Sequence, residues 1–394
     1  MPNRPLTVAE TEKVQDDLKH QLGQAYTPGT PIADPDLFAG RTVPLNTVWD
    51  ARSTGMSYVI QGPRGVGKTS FARRLFSGPR AFWITASADT DFVSIFLTVL
   101  YAVDGALTKS ERSEMVKAGV SAGADAIGAK AEFGTELKVK KVPVATQKFD
   151  LNFVLDRVAA HANKIDTIVI DEFQRITDAN IHTQVVEVIK GLADRASDVT
   201  VVLVGIASDE ERLVKDSQYP TYLVRHATSV TLHPMDEPEA LEIFQQRKQQ
   251  FNIAFPHELQ HKIIWISCGY PHIVHRLALS ACNSWLLRSA VTIVDDLVIP
   301  WFKKYVLRRK AEAPSVQSLS VSISPEDVLY AAEKFVNIYE GNHPLARRKL
   351  NDLGRSEQER LLRGSVEDTD ADEQYFPSYG RAKKYLQTAG REGP

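Results

Sequence analysis

Apolar and polar positions along the chain follow two rhythms. Ser57 to Ile60, Thr167 to Ile170 and Val199 to Val204 are near-continuous apolar, β-branched runs. Runs of that length without alternation predict strands covered on both faces, as in a parallel sheet. A shorter run, Val230-Thr231-Leu232, predicts a last strand closed by His233-Pro234. Between these runs the spacing becomes that of a helix face. Phe71, Ala72, Leu75 and Phe76 predict a helix from Thr69 that stops at Ser77-Gly78-Pro79. Asp91–Val103 and Leu151–Ala162 predict two more. Strands interleaved with helices make the core an α/β fold, a parallel sheet sandwiched by helices.

Outside that core the periodicity is helical. Val8 to Leu22 predicts a polar amphipathic helix, followed by a Pro-rich linker from Tyr26 to Pro35. Leu241, Phe244, Leu259, Ile263, Ile264, Leu277, Leu279 and Trp285 recur at helix-face spacing and predict a bundle over 236–290. Val291–Arg309 and Ser324–Tyr339 predict further helices, separated by the Ser/Pro-rich Ala311–Ser322 and followed by an acidic, mobile tail. Within the core, Ala118 to Ala129 is rich in small residues and Ala131 to Lys141 alternates apolar and polar. The stretch 104–147 therefore predicts a β-hairpin or flexible arm. It serves subunit, effector or DNA contact through Lys138, Lys140 and Lys141, or is simply a solvated insertion. The expected organisation is 1–35 helix and linker, 36–235 core, 236–290 helical bundle and 291–394 helical C-terminal region.

One loop supplies the chemistry. Gly62-Pro63-Arg64-Gly65-Val66-Gly67-Lys68-Thr69 lies between the first strand and its helix, with Ser70 following. It is a complete G-x-x-x-x-G-K-[ST] phosphate loop. Glycines let successive N–H groups converge on phosphate oxygens, and the helix adds its positive end. Lys68 is placed for the β and γ phosphates and the Thr69 hydroxyl for Mg²⁺, so the implied ligand is a nucleoside triphosphate with Mg²⁺. The run Thr167 to Ile170 ends in Asp171-Glu172, at the carboxyl edge where such sheets bind ligands. Asp171 suits the metal and Glu172 the attacking water. After the next strand, Ser208 either contacts the γ-phosphate or caps the helix from Asp209.

Composition limits the alternatives without adding chemistry. The chain has 394 residues, 43% hydrophobic and 24% charged, with a formal net charge of −2. That charge argues against a wholesale nucleic-acid coat, though not a local basic patch. No secretory leader or membrane-spanning run is apparent, and Cys268 and Cys282 are not spaced for zinc, so a cytoplasmic protein with no membrane partner is expected. His257 and His261 are four apart, as surface histidines or a two-ligand chelate without an evident third. Trp301 to Lys310 mixes aromatics and bases, as a phosphate-contacting helix or an ordinary amphipathic one.

The order of phosphate loop, strand ending Asp-Glu, strand ending in a polar residue and helical lid resembles the AAA+ ATPases. It is most similar to their origin-initiator-like and STAND branches. Asp36-Leu37-Phe38-Ala39-Gly40-Arg41 resembles the F-x-G-R box, which implies that Arg41 helps seat the nucleotide base. Gly269-Tyr270-Pro271 resembles the G-x-P lid motif, which implies that Pro271 packs by the adenine. Initiators carry a phosphate-contacting Arg three residues after the lid Gly; His272 stands there, and Arg276 one turn on could replace it. Arg225 matches the position of a finger arginine, or pairs with an acid. The resemblance implies ATP as ligand and hydrolysis as activity. It further implies a nucleotide-dependent switch that assembles as a homo-oligomer or controls a partner effector protein, in signalling or antiviral defence. A DNA-engaging initiator- or transposition-regulator-like ATPase and an ATP-gated scaffold with negligible turnover remain alternatives.

Overall fold

In the computed structural model the chain forms two compact units, Arg41–His233 and Met1–Gly40 together with Pro234–Pro394. The structure describes residues 8–32, 34–52, 56–88, 90, 92–103, 106–111, 135–137, 150–195, 198–205, 227–289, 321–342, 381–382 and 384–385. In chain order the elements begin with α1 (Val8–Ala25), α2 (Thr42–Arg52), β1 (Ser57–Gln61), α3 (Lys68–Phe76), β2 (Ala81–Thr85) and α4 (Phe92–Ala102). They continue with β3 (Thr135–Leu137), α5 (Leu151–Ala160), β4 (Thr167–Asp171), α6 (Ala179–Asp194), β5 (Thr200–Val204) and β6 (Ala227–Thr231). The last are α7 (Glu237–Phe251), β7 (Ile253–Ala254), α8 (His257–Ser267), α9 (Pro271–Arg288), β8 (Val321–Ser322) and α10 (Pro325–Asn342).

The unit Arg41–His233 is built on a parallel sheet of six described strands in the order β3-β2-β4-β5-β1-β6. Alternate strand residues point to opposite faces, and both faces are covered. Val59, Ile84, Ile168, Ile170, Val201 and Leu203 join one apolar cluster with Phe96 of α4, Val154 and Val158 of α5, and Val185 and Ile189 of α6. On the other face, the Tyr58 ring lies 5.3 Å from that of Phe76 in α3. Every residue of β1 and of β4 is buried, which is why both read as unbroken apolar runs. Asp150 accepts from the Phe153 N–H at 2.8 Å and starts α5; Asp178 starts α6 in the same way through Asn180 N–H.

The hydrophobic pattern does not isolate β2, a five-residue strand between β3 and β4. Its run is short and crowded against Gly78-Pro79-Arg80, so no periodicity separates it from a loop. Of the expected hairpin or arm over 104–147, residues 106–111 and Thr135–Leu137 are described, the latter as a strand parallel to β2. The rest of it lies outside the described residues, as do Val291–Arg309 and the acidic tail.

The second unit is helical around one core. Leu18 and Leu22 of α1, Phe244 of α7, Ile263 of α8, Leu277 and Ala281 of α9, and Phe335 of α10 are all buried in it. β7 and β8 form a two-stranded parallel pair at its side. Arg288 at the end of α9 donates to Asp327 of α10 at 2.6 Å. Burial pushes the Asp327 carboxyl up, but Arg288 and Ser324 outweigh it and hold the group below its ordinary value. Arg247 is 1% exposed and donates to the carbonyls of Ala25 (3.0 Å) and Leu37 (2.8 Å). Burial draws its pKa down to about 10, so the guanidinium stays charged at neutral pH. No described helix is long and apolar enough to cross a membrane.

Arg247 thus supplies charged donors to two buried carbonyls, and each carbonyl left unpaired costs about 1–3 kcal/mol. Arg247→Met should lower the unfolding free energy by at least about 2 kcal/mol in urea denaturation, with little change in the slope. A loss below about 0.5 kcal/mol, the level of an ordinary surface change, would mean that the carbonyls find other partners.

Candidate functional site

The turn from β1 into α3 is fixed by sterics. Gly62 has φ +148°, and a Cβ built there would stand 2.3 Å from the Leu232 carbonyl oxygen. No side chain fits, so the loop can pass the end of β6 only with glycine at this point. Gly67, at φ 95°, is the N-cap of α3 and brings no side chain to cap it. The first N–H groups of a helix begun in this way are the donors that bind phosphate. Lys68 reaches back across the loop, its ammonium donating to the carbonyls of Gly62 (2.9 Å) and Pro63 (3.1 Å). Val66 is buried, Arg64 is exposed, and Pro63, Gly65, Gly67, Lys68, Thr69 and Ser70 are half-buried.

At the carboxyl edge of the sheet, the Thr69 hydroxyl donates to the Asp171 carboxylate, at 3.0 Å to one oxygen and 3.3 Å to the other. The Glu172 N–H donates to the same carboxylate at 2.9 Å. Register places Asp171 opposite Thr85 of β2, and the Ala86 N–H donates to the Asp171 carbonyl at 2.8 Å. The carboxyl is 8% exposed, and burial raises its pKa; the Thr69 and Glu172 hydrogen bonds pull the other way. A hydroxyl and a carboxylate side by side are hard oxygen donors of the kind Mg²⁺ takes when phosphates and water supply the rest. The residues therefore fit that ion.

Glu172 follows in a left-handed backbone conformation, φ 56°. A side chain in that region costs about 1–2 kcal/mol, and such outliers gather at functional sites. Its carboxylate accepts from Gln174 Nε2 at 2.7 Å and from Arg175 Nε at 3.3 Å, and it is half-exposed beside the buried Asp171. Gln174 and Arg175 continue the acidic motif in the sequence, which, beyond their spacing two and three residues on, gave no hint that they hold this carboxylate.

Arg41 is buried at 4% exposure with φ 66°. Its guanidinium donates to the His233 carbonyl at 2.7 Å and to the Val66 carbonyl of the phosphate loop at 2.9 Å. The contacts hold the loop's backbone, a role the sequence did not suggest because His233 is 192 residues away and both acceptors are carbonyls. Arg41, Gly62–Ser70, Asp171 and Glu172 are thus brought together within one unit.

The remaining candidates divide in two. Ser208 and Arg225 lie outside the described residues. Pro271, His272 and Arg276 belong to α9 in the other unit, where Pro271 is the first helical residue and His272 and Arg276 are half-buried. Gly269 before them has φ +77°, and a Cβ there would stand 2.2 Å from the Met235 carbonyl oxygen, which fixes the turn into the helix. His275 is buried, its Nδ1 accepting from the Thr27 N–H at 3.1 Å; burial, with Arg247 and His272 nearby, holds its pKa well below the ordinary value. His257 and His261 contact each other, and His261 also meets Glu237. Among the described residues no cluster of three or more His, Cys, Asp or Glu is arranged to hold a metal.

Residues 51–213 match a family model described as an AAA domain. A search of curated proteins finds no match. Among solved structures, the chain is similar to a Walker-type ATPase of Pyrococcus abyssi at 13% identity and TM-score 0.45, covering 89% of this chain and 98% of that one. It is similar to the Aeropyrum pernix Orc1 protein in complex with DNA at 13% identity and TM-score 0.41, covering 94% and 87%. It is also similar to the Thermotoga maritima RuvB Holliday junction branch migration motor at 14% identity and TM-score 0.40, covering 91% and 97%. Likeness at that level fixes neither ligand nor partner.

Burial raises the folded-state pKa of Asp171 above its unfolded value, so its ionised form works against folding at neutral pH. The penalty is absent below the unfolded carboxylate pKa and grows as pH rises through the folded one. Asp171→Asn keeps the shape and removes the charge. In metal-free buffer its Tm at pH 7 should exceed that of the parent, and the gap should close as pH falls into the carboxylate range. A variant less stable than the parent at pH 7 would show that the hydrogen bonds outweigh the desolvation.

Proposed function

We propose that this chain, whose residues 51–213 match an AAA domain, binds ATP with Mg²⁺, hydrolyses it and uses the cycle as a molecular switch. The observation that carries this reading is the Thr69–Asp171 pair, 3.0 Å apart, beside the glycine loop whose Lys68 heads α3. In this assignment the loop's N–H groups and Lys68 take the β and γ phosphates. Thr69 and Asp171 hold Mg²⁺, which when bound neutralises charge developing on the phosphates. Glu172 orients and deprotonates the attacking water, with Gln174 and Arg175 fixing its carboxylate. Ser208 senses the γ-phosphate and Arg225 serves as a finger arginine, by resemblance to AAA+ proteins. Pro271, His272 and Arg276 are assigned to reading the nucleotide from α9, on the same ground.

The switch acts by ATP-dependent self-assembly or by controlling a partner effector protein. Its support is the resemblance of the Gly269-Tyr270-Pro271 turn to the STAND lid motif, at a turn where only glycine fits. ATP bound to the loop favours one arrangement of the protein, and hydrolysis removes the preference.

Lys68→Ala should abolish ATP binding in a fluorescent-nucleotide titration. Glu172→Gln should bind ATP as the parent does and lose at least about two orders of magnitude in turnover, the usual worth of a general base. Parent-level hydrolysis by Glu172→Gln would remove the catalytic assignment. Sizing chromatography with ATP, with ADP and with duplex DNA tests the switch: ATP alone should yield the larger species. Assembly or ATPase stimulation that requires DNA, with a steep salt dependence, would favour a DNA-engaging ATPase instead. Tight ATP binding without turnover would favour a scaffold.

A further inference from the structure

The chain passes between its two compact units at two places, Gly40–Arg41 and His233–Pro234. The approach to the first is strapped to α7 by side chains one helical turn apart. Gln250 Nε2 donates to the Asp36 carbonyl at 3.1 Å, Arg247 Nη1 to that of Leu37 at 2.8 Å, and Gln246 Nε2 to that of Phe38 at 2.8 Å. The Gly40 N–H donates to Glu242 Oε2 at 2.8 Å. These four hydrogen bonds, from residues 242 to 250 of α7, hold the backbone of Asp36, Leu37, Phe38 and Gly40 just before Arg41.

Arg41 then departs in a left-handed conformation and buries its guanidinium. One arm takes the carbonyl of His233, the last residue before the second crossing; the other takes that of Val66 inside the phosphate loop. The Leu232 N–H donates to the Gln61 carbonyl at 2.8 Å, and the Leu232 carbonyl abuts Gly62. The phosphate loop and both crossings are thus bonded to a single planar cation or to its immediate neighbours. A guanidinium presents its donors in a rigid fork, so a shift of one bonded carbonyl changes the geometry offered to the other.

We propose that Arg41 is a positioning residue that couples occupancy of the phosphate loop to the backbone at both crossings. This rests on the reading of the loop as a nucleotide site. Phosphates drawing the loop's N–H groups inward set the Val66 carbonyl, and the fork carries that setting to His233 and to residue 41 itself. Arg41 touches no reacting atom in this role. A lysine at the same position would keep the charge and lose the fork.

Hydrogen–deuterium exchange on the full-length protein tests the coupling, with a non-hydrolysable ATP analogue and with ADP as probes. In the parent, nucleotide should protect peptides covering the loop and also those covering residues 36–45 and 229–237. Arg41→Lys and Arg41→Gln should still bind nucleotide, weakened by roughly tenfold as expected for one charged hydrogen bond, and still protect the loop. In both, protection at the two crossings should vanish. Crossing protection retained in both variants overturns the proposal, as does a parent that protects the loop on binding and nothing else. A parent in which no peptide responds and no nucleotide binds overturns the nucleotide reading itself, a distinguishable result.

Discussion

The hydroxyl of Thr69 donating to the buried carboxylate of Asp171 is the contact on which the site depends. The two residues lie 102 positions apart, one at the first turn after β1 and the other at the last residue of β4. They meet because β4, β5 and β1 are neighbours in a parallel sheet, so that all three strands end on the same edge. Burying a carboxylate without pairing is costly. Here the cost is offset in part by the Thr69 hydroxyl and the Glu172 N–H. Burial raises the pKa of this carboxyl at the carboxyl edge of a parallel sheet, and acids perturbed in that way mark candidate functional sites.

The phosphate loop is held from behind as firmly as it is shaped from within. The Leu232 carbonyl leaves no room for a Cβ at residue 62, and Arg41 bonds the loop at Val66. Both constraints meet where β6 finishes, the first through the Leu232 carbonyl itself and the second through the bond of Arg41 to His233. The loop's conformation therefore depends on the register between β1 and β6, in which Gln61 lies opposite Thr231. A slip of one residue would exchange the faces of β6 and move the Leu232 carbonyl away from residue 62.

Much of this was legible beforehand, for definite reasons. β1, β4 and β5 read directly because strands covered on both faces leave no polar position to interrupt them. The glycine loop, Lys68 and Thr69 read because their spacing is fixed by one turn, and Asp171 because it ends a buried apolar run. β2 did not, although it lies beside β4 and orients Asp171 through Ala86. Its five residues carry no period longer than the run itself. The bonds of Arg41 were illegible for another reason: carbonyl acceptors leave no trace in side-chain identity. A buried arginine with one partner 25 residues away and another 192 away has no sequence signature.

Burial also sorts the basic residues of α9. His275 is committed to the core, its Nδ1 taken by the Thr27 N–H and its ring edge-on to Tyr26 at 5.8 Å. With its pKa well below the ordinary value it is neutral, and so cannot act as a cation towards phosphate. His272 and Arg276 are four residues apart and therefore on one face of the helix, both half-buried. An imidazole is charged only near or below its pKa, whereas a guanidinium is charged at any physiological pH. Of the three, Arg276 carries the permanent charge that the proposed nucleotide-reading role of α9 requires.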